Sequence, residues 1–273
     1  MPELPEVEVT RRQIETSLVG RKIARVETSR DSCFFLTPPR ALRRRLHGRV
    51  VERLTRVGKY LVAELDDTSR LLLHLGMTGQ LRVASVGSPL ARDAHTHLVL
   101  GFDDAGATIR FRDARKFGKV QWLAPGEGSA RLDRLGVDAL RARSGDLHRA
   151  TRGRRAKIKS VLLDQSVIAG VGNIYADEAL FLAGVRPTRA AQRLASAESE
   201  RLMRAVQQVL RRAIEQGGSS ISDYVQPDGS DGGYQDEHRV YGRAGQPCGT
   251  CGTRIRRVVL GQRSSCYCPT CQR

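Results

Sequence analysis

The chain has 273 residues, a formal net charge of +17 and a pI near 10.5. That length suits two domains with cores of their own, and no apolar run is long enough to span a bilayer. The charge points to a polyanionic partner, and to nucleic acid before a membrane surface, because no basic amphipathic anchor accompanies it.

The first eight residues are Met1-Pro2-Glu3-Leu4-Pro5-Glu6-Val7-Glu8. Proline is small, so Met1 is expected to be removed, leaving Pro2 with a free secondary amine. Terminal amines have a pKa of roughly 8, so a useful fraction is nucleophilic near neutral pH. Such an amine forms a Schiff base with a carbonyl-level carbon, and Glu3 is placed to serve as acid or base. The plainer alternative is that Pro2 and Pro5 set the entry to a helix, with Glu6 and Glu8 near its positive end. The acidic start argues against a secretory signal.

Val7, Ile14 and Leu18 predict a helix over about 4–19, ended by Gly20. Eight short extended runs follow, at 22–28, 50–55, 60–65, 71–75, 80–84, 98–102, 107–111 and 119–123. Their close spacing predicts an antiparallel sandwich or flattened barrel. Lys59 stands beside Gly58 at the start of one run, either as a solvated cation or as a functional one. Met77, in Leu75-Gly76-Met77-Thr78-Gly79, is either a buried gap filler or a wedge for a base stack. Asp113-Ala114-Arg115-Lys116-Phe117-Gly118 interleaves cations with an aromatic ring, as a hairpin turn or as a surface for phosphate contact and stacking. His95 and His97 lack further metal ligands and are expected on one strand face, with His95 contacting a phosphate or base.

Residues 126–155 contain a linker and the start of a helical region. Helices are expected at 158–164, from an Asn173 cap to Gly184, and at 198–216, where Leu202, Val206, Val209, Leu210 and Ala213 form a stripe. The glycines of 167–173 make either a tight turn or a phosphate-binding helix start. Residues 217–233 form a long glycine-rich loop, read as a lid. Cys248-Gly249-Thr250-Cys251 and Cys268-Pro269-Thr270-Cys271 have the spacing of a closed, structural zinc ribbon with a hairpin between the pairs. Arg254, Arg256, Arg257 and Arg263 on that hairpin favour phosphate binding. Cys33 and Cys266 are left as free thiols. Paired cysteines of this kind belong to a reducing compartment, so the chain is expected to be cytoplasmic.

Several distant motifs together resemble the bacterial formamidopyrimidine-DNA glycosylase family (8-oxoguanine-DNA glycosylase, MutM/Fpg). They are Pro2 to Glu8, Gly58-Lys59-Tyr60, His74 to Gly79, Asp113 to Gly118, Gly170 to Glu178, Gln226-Pro227-Asp228-Gly229, Val240-Tyr241-Gly242-Arg243 and the four-cysteine tail. The resemblance implies an α+β fold. An N-terminal helix and antiparallel β-sandwich (1–125) would precede a helix–two-turns–helix domain (126–240) carrying the lesion-capping loop 217–233, and then a zinc finger (241–273). It also implies a glycosylase and abasic-site lyase acting on lesion-containing double-stranded DNA. Pro2 would be the Schiff-base nucleophile and Glu3 the acid/base. Lys59 would transfer protons in β-elimination, and Arg263 would act in δ-elimination and bind phosphate. Met77, Arg115 and Phe117 would fill the void left by the flipped nucleotide, with Arg115 facing the orphaned cytosine. Asn173, Lys59, His95 and Arg154 would grip phosphates. One structural zinc would sit on Cys248, Cys251, Cys268 and Cys271. A monomer in the bacterial cytoplasm, associated with the nucleoid through DNA, would suffice.

Lys116 departs from the arginine common in that family, as do residues 135–140 and Ser160 from its usual prolines. The sister family, endonuclease VIII, prefers oxidised pyrimidines; Leu4, the Met77–Arg115–Phe117 set and the long lid argue against it. A non-catalytic zinc-ribbon DNA-binding protein would explain charge and cysteines but leave Pro2, Glu3 and Lys59 without a purpose.

Overall fold

The computed structural model describes residues 2–30, 32–84, 93–104, 106–221 and 224–273. Met1, and with it the expected processing, lies outside the described residues, as do residues 222–223 of the expected lid. The chain forms two compact units. One runs through Asp133 and takes in Gln216–Gly233; the other comprises Arg134–Glu215 and Tyr234–Arg273.

In the first unit, helix α1 (Leu4–Glu15) leads into strand β1 (Ile23–Thr28), helix α2 (Pro39–Leu46) and strands β2 (Val51–Val57), β3 (Tyr60–Leu65), β4 (Arg70–His74), β5 (Gly79–Ala84), β6 (Thr96–Phe102), β7 (Thr108–Asp113) and β8 (Lys119–Leu123), followed by the short α3 (Ala130–Asp133). The strands make two four-stranded antiparallel sheets, ordered β1-β6-β7-β5 and β2-β3-β4-β8. Alternating inward residues, among them Leu61, Leu71, Leu73, Leu98, Leu100, Phe111 and Val120, fill the core with Phe34 and Ile14. This is the sandwich expected from the strand spacing. Burial of such aliphatic and aromatic side chains, at roughly 1.5–3 kcal/mol each, drives its assembly.

Three local expectations are corrected. Helix α1 stops at Glu15 rather than Val19, because the Ser17 and Leu18 N–H groups bond three residues back, to Ile14 and Glu15, tightening the last turn before Gly20 at φ +80°. Helix α2 was not expected; two prolines open it and Leu42 and Leu46 bury one face, while its arginines face outward. His95 and His97 do not share a strand face. His95 lies exposed in the turn before β6, while His97, at a register shift between Thr96 and Leu98, is buried against Phe34.

The second unit contains β9 (Val137–Asp138), α4 (Ser144–Thr151), α5 (Ile158–Leu163), β10 (Ile168–Ala169), α6 (Asn173–Leu182), α7 (Ser196–Glu215) and the hairpin β11 (Arg256–Leu260) with β12 (Arg263–Tyr267). Helix α7 packs its apolar stripe on α4 and α6. Between α5 and α6 the chain makes the two turns of a helix–two-turns–helix arrangement. Gln165 braces them, accepting the Gly170 N–H at 2.9 Å and donating to Val171 O at 2.8 Å. Gly172, not Asn173, occupies the cap of α6, and Asn173 is its first helical residue.

The hairpin is fastened to these helices by buried polar groups. Lys159 and Asp177, 0% and 1% exposed, pair at 2.7 Å. Lys159 also donates to Ser264 O at 2.9 Å, and Asp177 accepts the Ser265 hydroxyl at 2.8 Å and the Cys266 N–H at 2.9 Å. Beside it, Glu178 accepts the N–H groups of Arg239, Val240 and Tyr241 at 2.8–2.9 Å. Burial pushes the Glu178 carboxyl above its ordinary value, against those three donors. Among the described residues no helix is long and apolar enough to cross a membrane.

Removing one partner of a buried ion pair leaves an uncompensated charge. Asp177→Leu alone should therefore cost about 3–5 kcal/mol in urea unfolding, and Lys159→Met added to it should recover much of that loss.

Candidate active site and metal centre

Pro2 is buried ahead of α1, and Glu3, 2% exposed, is the last residue before the helix. The fully enclosed Glu6 carboxylate holds this entry. One oxygen accepts the Glu3 N–H at 2.8 Å and the other accepts the Ser219 N–H at 2.9 Å. Tyr224 donates to Glu6 O at 3.4 Å; burial and the Glu6 charge push its hydroxyl well above the usual range, so it stays a donor. The loop Gln216–Gly233 is thus tied to the N-terminal helix. Gln13 and Gln226 bond side chain to side chain, and the Val83 N–H donates to Pro227 O at 3.2 Å. These contacts place the expected lid with the sandwich, whereas the sequence had grouped it with the helical domain. Its neck is closed by Gly233 N–H to Gln216 O at 2.7 Å and Gly232 N–H to Ser220 Oγ at 2.9 Å.

Lys59, 8% exposed, lies in the two-residue turn between β2 and β3, where Gly58 takes φ +57°. Arg56 connects that turn to α1, donating to Gly58 O at 2.9 Å and to the Glu8 carboxylate at 3.0 Å. Burial alone would raise the Glu8 carboxyl, but hydrogen bonds from Arg11 and Arg12 and the Arg56 charge hold it below its ordinary value. Glu3 and Lys59 are therefore each braced to α1, which packs on β2, β3 and β5.

Met77, half-buried, tips the turn between β4 and β5; Arg115 and Phe117 are exposed on the loop between β7 and β8. The Arg115 guanidinium lies 4.7 Å from the centre of the Phe117 ring, a cation–π contact. Lys116 between them takes φ +56°. His74 fixes the Met77 turn by accepting the Gly76 N–H at 3.1 Å through Nδ1. Burial, helped by the charge of Lys59, pushes His74 down to about 4, so the ring is neutral and keeps that lone pair.

In the second unit Asn173 begins α6, and its buried Oδ1 has no hydrogen-bond partner among the described residues. Arg154 is exposed and pairs with Asp164 at 3.4 Å. Arg263 follows the hairpin tip, where Gly261 and Gln262 both take positive φ, +52° and +65°. Two positive-φ residues are what a tight two-residue hairpin turn requires.

The four cysteine sulfurs lie within 4.8 Å of one another. Cys248 and Cys271 approach to 3.9 Å, Cys251 and Cys268 to 3.5 Å, and Cys251 and Cys271 to 3.4 Å. A tetrahedral Zn–S distance of about 2.3 Å gives sulfur separations of about 3.8 Å. The set therefore fits one zinc with no open position. Backbone N–H groups of Thr250 and Cys271 point at Cys248 and Cys268 Sγ, at 3.5 and 3.4 Å, as thiolate ligands need. Cys266 packs beside the cluster but is not in it.

The sequence missed the anchors. Glu6, Glu8 and Arg56, Asp113, Asp177 and Glu178 hold the loops on which the expected side chains stand. For Glu6 the signal was its position three residues after Glu3, a capping-box spacing hidden by a glutamate in place of serine or threonine.

Two outcomes follow from these contacts. Stripping the metal with a chelator should disorder the tail, read as lost amide protection over 245–273, because ribbon sites fold with their metal. His74 should take up a proton on unfolding between its ordinary 6.5 and about 4. Its contribution to stability should be complete above pH 6.5 and lost as pH falls across that window, and His74→Asn should flatten the slope there.

Three family models match in chain order. They are the formamidopyrimidine-DNA glycosylase N-terminal domain at residues 1–120, the formamidopyrimidine-DNA glycosylase H2TH domain at 135–225, and the zinc finger found in FPG and IleRS at 245–273. A formamidopyrimidine-DNA glycosylase of Cupriavidus pinatubonensis is 49% identical, with 100% of both chains covered. Among solved structures, a mutant Lactococcus lactis FPG in complex with Fapy-dG-containing DNA superposes with a TM-score of 0.90 at 34% identity, covering 100% of both chains. The MutM (FPG) protein of Thermus thermophilus gives 0.86 at 39%, covering 99% of this chain and 98% of that one. With its sandwich, its helix–two-turns–helix and its four-cysteine tail all matched in order, the chain belongs to the formamidopyrimidine-DNA glycosylase family.

Proposed function

We infer that the protein is a bifunctional DNA glycosylase and abasic-site lyase of base excision repair, acting on oxidised purines such as 8-oxoguanine and formamidopyrimidines. The observation that carries this reading is the enclosed Pro2-Glu3 entry to α1, held by the Glu6 carboxylate. A reacting amine must be fixed in place to gain from proximity, and a buried three-residue bracket fixes it.

The target nucleotide must leave the stack before chemistry can reach it. Met77, Arg115 and Phe117 enter the space it vacates, and Arg115 faces the orphaned cytosine. The Pro2 nitrogen, freed by removal of Met1, attacks C1′ as the C1′–N bond to the base breaks, and the departing base takes up a proton. Glu3 protonates the ring oxygen as the sugar opens. The resulting iminium is cationic without protonation, because its nitrogen is fully substituted. It acidifies the C2′ hydrogens, so that the 3′ phosphate and then the 5′ phosphate are eliminated. Lys59 and Arg263 handle protons in those steps, and Arg263, Asn173, Lys59, His95 and Arg154 bind phosphates. Zinc on Cys248, Cys251, Cys268 and Cys271 is structural and supplies no reactive position.

By function the chain divides into a catalytic sandwich (1–125), a DNA-binding helical part (126–240) and a zinc finger (241–273), with the loop 217–233 capping the lesion. The protein works as a monomer on duplex DNA, in the bacterial cytoplasm at the nucleoid.

The test is borohydride trapping on a duplex with 8-oxoguanine opposite cytosine, beside a duplex with an oxidised pyrimidine. A covalent adduct on the first, mapped to Pro2 and lost in Pro2→Gly, is expected. An adduct on the pyrimidine lesion alone would move the substrate class. No adduct on either, from protein shown to begin at Pro2, would leave a DNA-binding protein without this chemistry.

A further inference from the structure

The two loops that carry Met77 and Arg115 are joined by one buried carboxylate. Asp113, 0% exposed, ends β7. Its Oδ1 accepts the Thr78 hydroxyl and, at 3.2 Å, the Arg115 N–H; its Oδ2 accepts the Gly118 N–H at 2.7 Å. Thr78 Oγ1 also accepts the Arg115 N–H, at 3.2 Å. Thr78 is 5% exposed and directly follows Met77 in the chain. The Asp113 backbone is fixed as well. Its N–H donates to His95 O at 2.8 Å, and its carbonyl lies 2.9 Å from His97 Nε2, which sets that ring nitrogen as the donor.

The two backbones leave no slack between them. A Cβ on Gly76 would lie 2.4 Å from Gly118 N, and one on Gly118 would lie 2.9 Å from the Asp113 carboxylate. Both contacts are too short for real atoms, so the loops cannot slide past one another without first parting. The Arg115 main chain is thus held by two oxygens, one from its own loop and one from the Met77 turn. Its side chain leaves that fixed point to lie on Phe117.

We propose that Asp113 and Thr78 are positioning residues for opposite-base discrimination. Their hydrogen bond makes the Met77 wedge and the Arg115 reader a single body. A base opposite the lesion that displaces Arg115 then displaces Met77 too, and the mismatch is felt at the vacated position as well as at the orphaned base. This rests on the reading of Arg115 as facing that base. In a buried setting the bond is strong, and losing one partner leaves the other unsatisfied, so the coupling is sensitive to a single hydroxyl.

The experiment compares single-turnover excision of 8-oxoguanine opposite cytosine and opposite adenine, for wild type, Thr78→Val, Thr78→Ser, Asp113→Asn and Arg115→Ala. Trapping on a single-stranded abasic oligonucleotide, which has no orphaned base, reports whether the catalytic centre is intact. Arg115→Ala should lower the cytosine-to-adenine ratio by on the order of fivefold or more, the range for loss of a base-edge contact. Thr78→Val should lower it comparably with single-stranded trapping unchanged, the Thr78→Val/Arg115→Ala double variant should lower it no further, and Thr78→Ser should keep the wild-type ratio. If Thr78→Val loses single-stranded trapping, and so its fold, Asp113→Asn takes its place in the comparison. Wild-type ratios in Thr78→Val and Asp113→Asn beside a lowered ratio in Arg115→Ala would overturn the coupling. A wild-type ratio in Arg115→Ala would instead remove Arg115 as reader, and the proposal with it.

Discussion

A buried carboxylate that accepts hydrogen bonds from loop backbone is the interaction on which the molecule depends. Glu6 takes the N–H groups of Glu3 and Ser219, Asp113 those of Arg115 and Gly118, and Glu178 those of Arg239, Val240 and Tyr241. Burying a charge is costly unless donors surround it. Loop backbone supplies donors that no ladder uses. Each carboxylate therefore becomes tolerable by fixing a loop, and each loop becomes fixed by serving a carboxylate. The segments so held are the entry to α1, the loop bearing Arg115 and the stretch 239–241.

The sandwich makes this arrangement economical. Tight turns at Gly58 and Gly76, both at positive φ, bring Lys59 and Met77 to strand ends without long excursions. The link from Glu8 through Arg56 to Gly58 lets α1 and the Lys59 turn register against each other. A neutral His74 does the same for Gly76, and only a ring kept unprotonated by burial can accept that N–H. In the second unit the hairpin is held at two levels, by cysteine sulfurs near its base and by Lys159 and Asp177 along β12.

What was legible in the sequence follows from range. All eight sandwich strands could be read, because alternation is local and the turns between them carry Asp and Gly. The metal set was legible because both Cys-x-x-Cys pairs fix their own geometry. Helix α2 was missed, since Leu42 and Leu46 are too few to outweigh a run of arginines in composition. The cap at Gly172 and the end of α1 turned on one or two backbone hydrogen bonds. The separation of His95 from His97 came from a strand that begins only at Thr96, which alternation does not fix. The anchors were hidden for a different reason. Glu6 and Ser219 are 213 positions apart, and Lys159 and Ser264 are 105 apart, so nothing near either residue announces its partner.

The closed neck of Gln216–Gly233 also insulates the entry to α1 from the rest of the loop. Because Gly233 meets Gln216 and Gly232 meets Ser220, the two arms of the loop are fastened to each other at its base. A Cβ on Gly232 would lie 2.3 Å from Gly218 O, so the clasp admits little change at that position. Replacements beyond it leave the Ser219–Glu6 tie, and hence the Glu3 entry to α1, as they are. The fold thus lets the loop beyond the clasp change without disturbing the entry to α1.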